Sequence, residues 1–395
     1  MKTHEIGIIG GGPGGSTLAS YLRKKGYDVA IFEKEVFPRF RIGESLLPCS
    51  MQILKETGVY PKIDSGKYIR KFGAQFLDHR TNERILFNFG DSPFPEHQMA
   101  FEVERALFDQ DLLDHAKELG THVYLPLRVE DIEENDDHIV VKTNEENFQV
   151  KYLADASGRI AFLGNKKKMR QPNVDLINNI AVFSHFEGVT RGEGIRAGDI
   201  LISVLPNQAW AWTIPFQGNK TSIGIVTNTQ NLPKNTSFEE FLDVQLNSSP
   251  IFREMLANGK RIAEVQAISN YSHTCESMVG NRWLQVGDAA AFLDPIFSSG
   301  AHVSMYTAKL ASEVIDKAFK SNLSLLEKDL GGAYQETVRK GVTRFHKLIR
   351  LFYDTDFIKD TKKILSLKMS RDAFTSAVAG DVWNDDNVIF RMGNL

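Results

Sequence analysis

The sequence predicts a three-layer α/β protein with a second domain built on a mixed sheet and a helical C-terminal region. Three observations predict it. A glycine-rich turn near the N-terminus stands between an apolar stretch and a helical pattern, strand-like alternation fills the middle of the chain, and beyond about residue 326 the periodicity becomes helical.

Residues 6–9 form an apolar run that reads as the first strand. Directly after it comes Gly-x-Gly-x-x-Gly at positions 10, 12 and 15, with Pro13 and Gly14 inside the turn. At this spacing Gly10 permits a tight turn, Gly12 lets the backbone approach a pyrophosphate, and Gly15 lets the helix pack closely on the strand, with the anion at the helix N-terminus. Leu18 and Leu22 continue an apolar helix face, Gly26 stops the helix, and 28–32 reads as a second parallel strand. Glu33 ends that strand eighteen residues past Gly15, followed by Lys34. A Rossmann unit places there the acid that accepts both hydrogen bonds from an adenosine ribose, which disfavours a 2′-phosphate. Two later strands, 152–159 and 283–288, belong to the same sheet by this reading; the first ends in Ala156 and Gly158, the second in Gly287 and Asp288. No second fingerprint occurs, so one dinucleotide is expected and no separate nicotinamide domain.

Composition narrows the class. With 395 residues, 42% hydrophobic and 25% charged, and a net charge of −3, the chain can bury a large core and carries no general affinity for nucleic acid or an anionic membrane. Cys49 and Cys275 are far apart with no metal-ligand spacing, which predicts buried thiols in a reducing compartment, neither disulfide nor zinc. The ten histidines are scattered; His115 and His302 fall in helical patterns and read as packing residues. No apolar run is long enough to span a bilayer, and the first strand begins too early for a signal peptide, so a cytoplasmic protein with no bound metal is expected.

The turn at 10–15, Asp155-Ala-Ser-Gly158, and Gly287-Asp288-Ala-Ala followed by Asp294-Pro295 together resemble the FAD-binding domain of the para-hydroxybenzoate hydroxylase type. That resemblance implies FAD as the cofactor. It also implies a ribityl contact for Asp288 and places Arg105, in a Val-x-Arg-x-x-Phe-Asp stretch, near the flavin; as residues alone, Arg105 with Phe108, Leu112 and Leu113 equally fits the charged side of an amphipathic helix. Phe40-Arg-Ile-Gly-Glu-Ser-Leu-Leu-Pro48 is similar to the segment following the second strand in flavin-dependent halogenases and geranylgeranyl reductases, and brings Arg41 and Glu44 into the cofactor region. Trp-Ala-Trp-Thr-Ile-Pro at 210–215 and the loop 287–300 resemble the halogenases more closely, especially those acting on phenols and pyrroles. Enzymes of the tryptophan-acting subgroup carry Glu-Pro-Leu-Glu-Ser-Thr-Gly in that loop. Phe297 stands here where their catalytic Glu lies, so a tryptophan substrate is not expected.

The candidate site residues follow, each with a structural alternative. Lys71, before the strand-like 72–76 and its expected hairpin partner 84–89, is the resemblance's candidate for guiding hypohalous acid; an ammonium with rotatable donors, partly desolvated, can hold such an oxidant. The alternative is a solvated strand-end lysine beside Arg70. Glu44 is a second catalytic candidate, or else a capping or ion-pair residue. Ser298, Ser299 and Gly300 precede a helical pattern through Val303, Leu310 and Val314 and offer backbone N–H groups to halide or to the flavin ring, while the resemblance puts Pro295, earlier in the same loop, beside the cofactor. Trp210, Trp212 and Ile214 share one strand face and, with Phe297, form a substrate-cavity wall or plain core.

By this reading 1–68, 104–160 and 276–325 build the FAD domain, 69–103 and 161–275 the substrate-binding sheet domain, and 326–395 the helical region. In the last, Phe345, Ile349 and Phe352 line one stripe; Lys340, Arg344, Lys347 and Arg350 line another, which is either a solvated face or a dock for an acidic carrier protein. The resemblance implies an enzyme that uses reduced FAD and oxygen, through a flavin hydroperoxide, on a small aromatic or apolar substrate, free or carrier-bound, with halide and a separate flavin reductase. A monooxygenase or a dehydrogenase acting on an apolar molecule shares the scaffold, and a non-catalytic flavoprotein is the third alternative.

Overall fold

Parallel pairing around the N-terminal strand organises the first sheet. In this computed structural model, which describes residues 1–173, 178–269 and 272–391, Lys2–Ile9 lies between Val29–Phe32 and Asn147–Asp155, parallel to both. His122–Tyr124 extends the sheet beyond Val29–Phe32, and Trp283–Gln285 pairs in parallel with the end of Asn147–Asp155. Ile139–Thr143 and Val129–Glu134 finish it with antiparallel pairing. The first strand starts earlier than its apolar run because Lys2 and Thr3 are exposed edge residues that the ladder still pairs. Small parts of the expected segments, at 174–177, 270–271 and 392–395, lie outside the described residues.

The glycine turn feeds the helix Pro13–Lys24, whose Leu18 and Leu22 are fully buried. Gly15 has no room for a side chain: a Cβ there would lie 1.9 Å from the Gly10 carbonyl oxygen. Gly26 ends this stretch at φ +92°, a conformation that favours glycine. The long helix Ser299–Ser321 and the helix Arg105–Glu118 pack beside Pro13–Lys24.

Among the described residues the second sheet has eight strands and is antiparallel except where Ile200–Val204 runs parallel to Gly73–Asp78. The expected hairpin exists as Gly73–Asp78 with Arg84–Asn88. One cross-strand row runs Phe76, Ile202, Trp212, Gly224, Phe183. Glycine is required in that row, since a Cβ at Gly224 would lie 2.2 Å from the Trp212 ring. The C-terminal helices Ala333–Asp354, Phe357–Leu365 and Lys368–Val378 join the core on this side: Phe76 packs against Phe297, Phe352 and Phe357. Phe345, Ile349 and Phe352 are buried, as their spacing predicts. Among the described residues no helix is long and apolar enough to cross a membrane.

Candidate active site

At the nucleotide end, Gly12 caps the helix Pro13–Lys24, and its backbone is open on the side facing Arg39, whose guanidinium would lie 3.4 Å from an added Cβ. Glu33 is buried: one oxygen accepts from the Gly11 N–H at 2.8 Å, the other from the Glu35 N–H at 2.9 Å. Arg39, which the sequence did not single out, is held by Asp109 at 2.7 Å and stacks over Phe37. Lys34 is exposed, and Arg41 pairs with Glu35, so both sit at the rim of this turn. Gly10 adopts φ +101° beside the Ala156 carbonyl, which brings Ala156 and Gly158 to the same strand ends.

The loop 287–300 closes the other side. Gly287, at φ +60°, packs on Ser304 of the long helix, and Gly300, at that helix's first turn, lies near the Asp288 carboxylate, with 3.8 Å from an added Cβ to Oδ1. Ser299 is the first residue of the helix, and Pro295 opens the short turn before it. Arg105 begins its own helix, donates to the Ile42 carbonyl at 2.8 Å and pairs with Asp109 at 2.8 Å, so it is latched into the site and does not lie free on the helix surface. Burial pushes the Asp288 carboxyl up to about 7, against the opposing pull of Arg105 and Arg159. A carboxyl raised above its ordinary 3.8 holds its proton more tightly in the folded chain, so it contributes stability present at low pH and lost as pH rises toward 7. In thermal scans of FAD-free protein, Asp288→Asn is expected to flatten the fall in melting temperature over that interval. A cradle shaped by side-chain-free glycines, an acid at the second strand and a desolvated carboxyl beside a long helix's N-terminus fit a dinucleotide with a polyol linker, which is FAD.

Lys71 ends the strand Ile69–Lys71 and is fully buried, which overturns the solvated strand-end alternative. The strand Ile69–Lys71 pairs with Ala100–Glu102 and so points the lysine inward, beneath the segment 44–47. Its Nζ donates to Ser45 Oγ at 2.7 Å and to the Leu46 carbonyl at 3.2 Å, and lies over the Phe89 ring. Burial lowers the Lys71 pKa, while Glu102 and Asp199 pull it back up.

Lys71 borders a narrow apolar cleft lined by Leu47, Ala74, Phe76, Phe89, Ile200, Ile202, Ile296, Phe297, Ser298 and Val378. Phe297 is therefore in the cleft wall. Trp212 lies in the same cross-strand row as Phe76 and Ile202 but one strand beyond the lining, covering Gly224 and donating to Ser222. Trp210 donates to the Tyr353 hydroxyl of a C-terminal helix at 2.8 Å, and Ile214 is core. The wall thus falls on 74, 76, 200 and 202 instead of on the tryptophan strand, since the parallel pairing of Gly73–Asp78 with Ile200–Val204 brings those residues opposite the 296–298 loop. Their alternate spacing is visible in the sequence; their pairing is not.

Glu44 is buried and bonded to His185 at 2.9 Å, the ion-pair alternative, with its second oxygen unpartnered. His302 is satisfied by Ser50 and Gly380, and His115 by the Thr57 carbonyl. Cys275 is buried and Cys49, first residue of the short helix Cys49–Thr57 and bonded through its N–H to the Ala379 carbonyl, is partly so; both are free thiols. In the basic stripe Lys340 and Arg344 pair with Asp385, and Arg350 with Asp354, which leaves little uncompensated charge for an acidic partner. One cluster escaped the sequence reading: His4, Asp28 and His122 meet where three neighbouring parallel strands begin, at the end of the sheet away from the glycine turn.

The chain matches the tryptophan halogenase family over residues 5–99 and 91–391. It is 33% identical to a 1H-pyrrole-2-carbonyl-(peptidyl-carrier protein) chlorinase of Pseudomonas fluorescens, over 92% of this chain and 88% of that protein. A corresponding brominase of Pseudoalteromonas luteoviolacea is 31% identical over 82% of this chain and 79% of its own. Among solved structures, a flavoprotein/dehydrogenase from Cytophaga hutchinsonii superimposes with a TM-score of 0.91 at 27% identity, covering 100% of this chain and 96% of that one. The flavin-dependent brominase Bmp2 superimposes at 0.88, also 27% identical, covering 99% and 98%. With both the sequence match and the geometry in place, the chain belongs to the tryptophan halogenase family and is an FAD-dependent oxidoreductase of the flavin-dependent halogenase type.

Proposed function

We propose that the chain halogenates an electron-rich aromatic ring presented on a carrier protein, with reduced FAD supplied by a separate flavin reductase in a reducing compartment. The observation that carries this reading is Lys71: a buried amine at the wall of an otherwise apolar cleft, between the FAD domain and the mixed sheet. Two relatives named for carrier-bound pyrroles support the substrate class. Both cysteines being free fits the compartment.

Bound reduced FAD supplies the electrons that activate oxygen and so convert halide to hypohalous acid. The chain does the rest. Ser45 and Leu46 fix two of the three Lys71 donors, leaving the third to hold the oxidant toward the cleft. Phe76, Phe89, Ile202 and Phe297 close the cleft to about 10 Å³, the room of a single water, and so keep bulk solvent from the Lys71 amine. Backbone N–H groups at the start of Ser299–Ser321, where the helix dipole is positive, are the place for halide.

The test is the purified chain with FAD, a flavin reductase and NADH, chloride or bromide, and a panel of free and carrier-bound pyrroles and phenols, followed by mass spectrometry. A halogen-for-hydrogen mass shift is expected, larger for carrier-bound substrate. If no substrate gains halogen and halide leaves the rate of flavin reoxidation unchanged, the reading fails. The dehydrogenase alternative, which the similarity to the Cytophaga hutchinsonii flavoprotein/dehydrogenase favours, then leads.

A further inference from the structure

A buried carboxyl lies behind Lys71. Glu102 ends the strand Ala100–Glu102, pairs with Ile69 across the ladder and forms a bridge to Ser45. Its Oε1 is 3.9 Å from Lys71 Nζ, and both side chains are shut off from solvent. Neither oxygen of Glu102 completes a hydrogen bond of normal geometry. Ser45, which accepts from Lys71 at 2.7 Å, is the hydroxyl that acts on both groups. The other acids near the pair have partners of their own: Glu44 is bonded to His185 and flanked by Arg105, and Asp199 is paired with Arg196. Glu102 has only Lys71 within ion-pair reach among the described residues. An acid in such a place is costly, and packing alone would be served better by an apolar residue of similar volume.

We propose that Glu102 is the proton partner of Lys71, a positioning residue that takes the ammonium proton, directly or through the Ser45 hydroxyl, when the amine engages the oxidant, and returns it afterwards. The proposal rests on the halogenase reading for what Lys71 does, but the pairing itself does not. In the step one N–H bond breaks at Nζ and one O–H bond forms at the Glu102 carboxylate; no electrons are gained or lost. Relayed through Ser45, the hydroxyl accepts the Nζ proton as it passes its own to Glu102. Ammonium with carboxylate and amine with carboxylic acid both carry zero net charge, so the transfer places no uncompensated charge in a dry interior. Burial acts on both members in the sense that favours the neutral pair, lowering Lys71 and pushing Glu102 up to about 8.

Two measurements on the holoenzyme test this. The first is the pH profile of halogenation in Glu102→Gln and Glu102→Asp, beside flavin reoxidation in the same samples. Since the carboxylate holds the Lys71 pKa up, Glu102→Gln is expected to move the limb belonging to Lys71 about one unit to lower pH, with at least about tenfold loss of kcat near neutrality. Reoxidation stays unchanged, and Glu102→Asp restores part of the shift. A limb that does not move, whatever happens to kcat, overturns the proposal, because a merely structural acid changes rate and stability but not that limb. The second needs no turnover: the carboxylic-acid C=O band lost from the infrared spectrum in Glu102→Gln is titrated in wild type and in Lys71→Met. Coupling predicts a higher midpoint in Lys71→Met, and equal midpoints overturn the pairing. Wild-type protein that makes no halogenated product would sink the functional reading instead, and the infrared titration would still decide the pairing.

Discussion

Lys71→Met is expected to lower halogenation by about 10²–10³-fold or more, the scale of losing one preorganised donor at a reacting oxygen, while reduced flavin is still reoxidised by oxygen. Methionine keeps the length and volume of the side chain in a fully buried slot, so the loss reports chemistry more than packing. Glu102 is left without its cation, but a carboxyl already pushed up to about 8 takes a proton near neutrality, which limits the damage to the fold. Lys71→Arg is expected to fail as well. The guanidinium keeps its charge at any working pH, and its planar fork cannot reproduce the paired contacts to Ser45 and Leu46 made by a single nitrogen. The measurement is halogenated product per flavin reoxidised. A variant that retains wild-type coupling would remove Lys71 from the mechanism.

Gly15→Ala should have the largest effect on cofactor binding. The added Cβ would meet the Gly10 carbonyl oxygen at 1.9 Å, a backbone atom, so neither a rotamer change nor a small side-chain shift relieves it. Gly10 itself is held in a left-handed conformation with its N–H bonded to the Phe32 carbonyl at 2.9 Å. The helix must move off the strand, taking with it the backbone N–H groups of the turn. FAD affinity is expected to fall by at least about 100-fold, equivalent to about 2.7 kcal/mol, and the melting temperature of the FAD-free protein by several degrees. Fluorescence titration with FAD and a thermal scan check both. An unchanged dissociation constant would mean that the turn does not hold the dinucleotide.

Much of the first domain was legible because its signals are local. A strand, a turn of fixed glycine spacing, a helix and a terminal acid occur within about thirty residues, and each glycine's role follows from backbone sterics. Helix faces were legible for the same reason: Phe345, Ile349 and Phe352 recur at helical spacing and are buried. The tryptophan strand shows where such reasoning stops. Alternation placed Trp210, Trp212 and Ile214 on one face, but which strands lie beside it, and which residues consequently line the cleft, depends on register with distant segments. Arg39 was missed because a charge in a loop carries no periodicity; only the fold sets it beside Gly12.

The sequence by itself determined the α/β class, the dinucleotide turn and the acid at its second strand, since these depend on short-range geometry, and its resemblance to the flavin-dependent halogenases singled out the lysine worth testing. Only the tertiary structure decided the state of that lysine. Its hold on Ser45 and Leu46 and the carboxyl behind it come from residues twenty-five or more positions away, converging from two segments. A charge's solvation is a property of everything packed around it, and no stretch of chain near Lys71 records that.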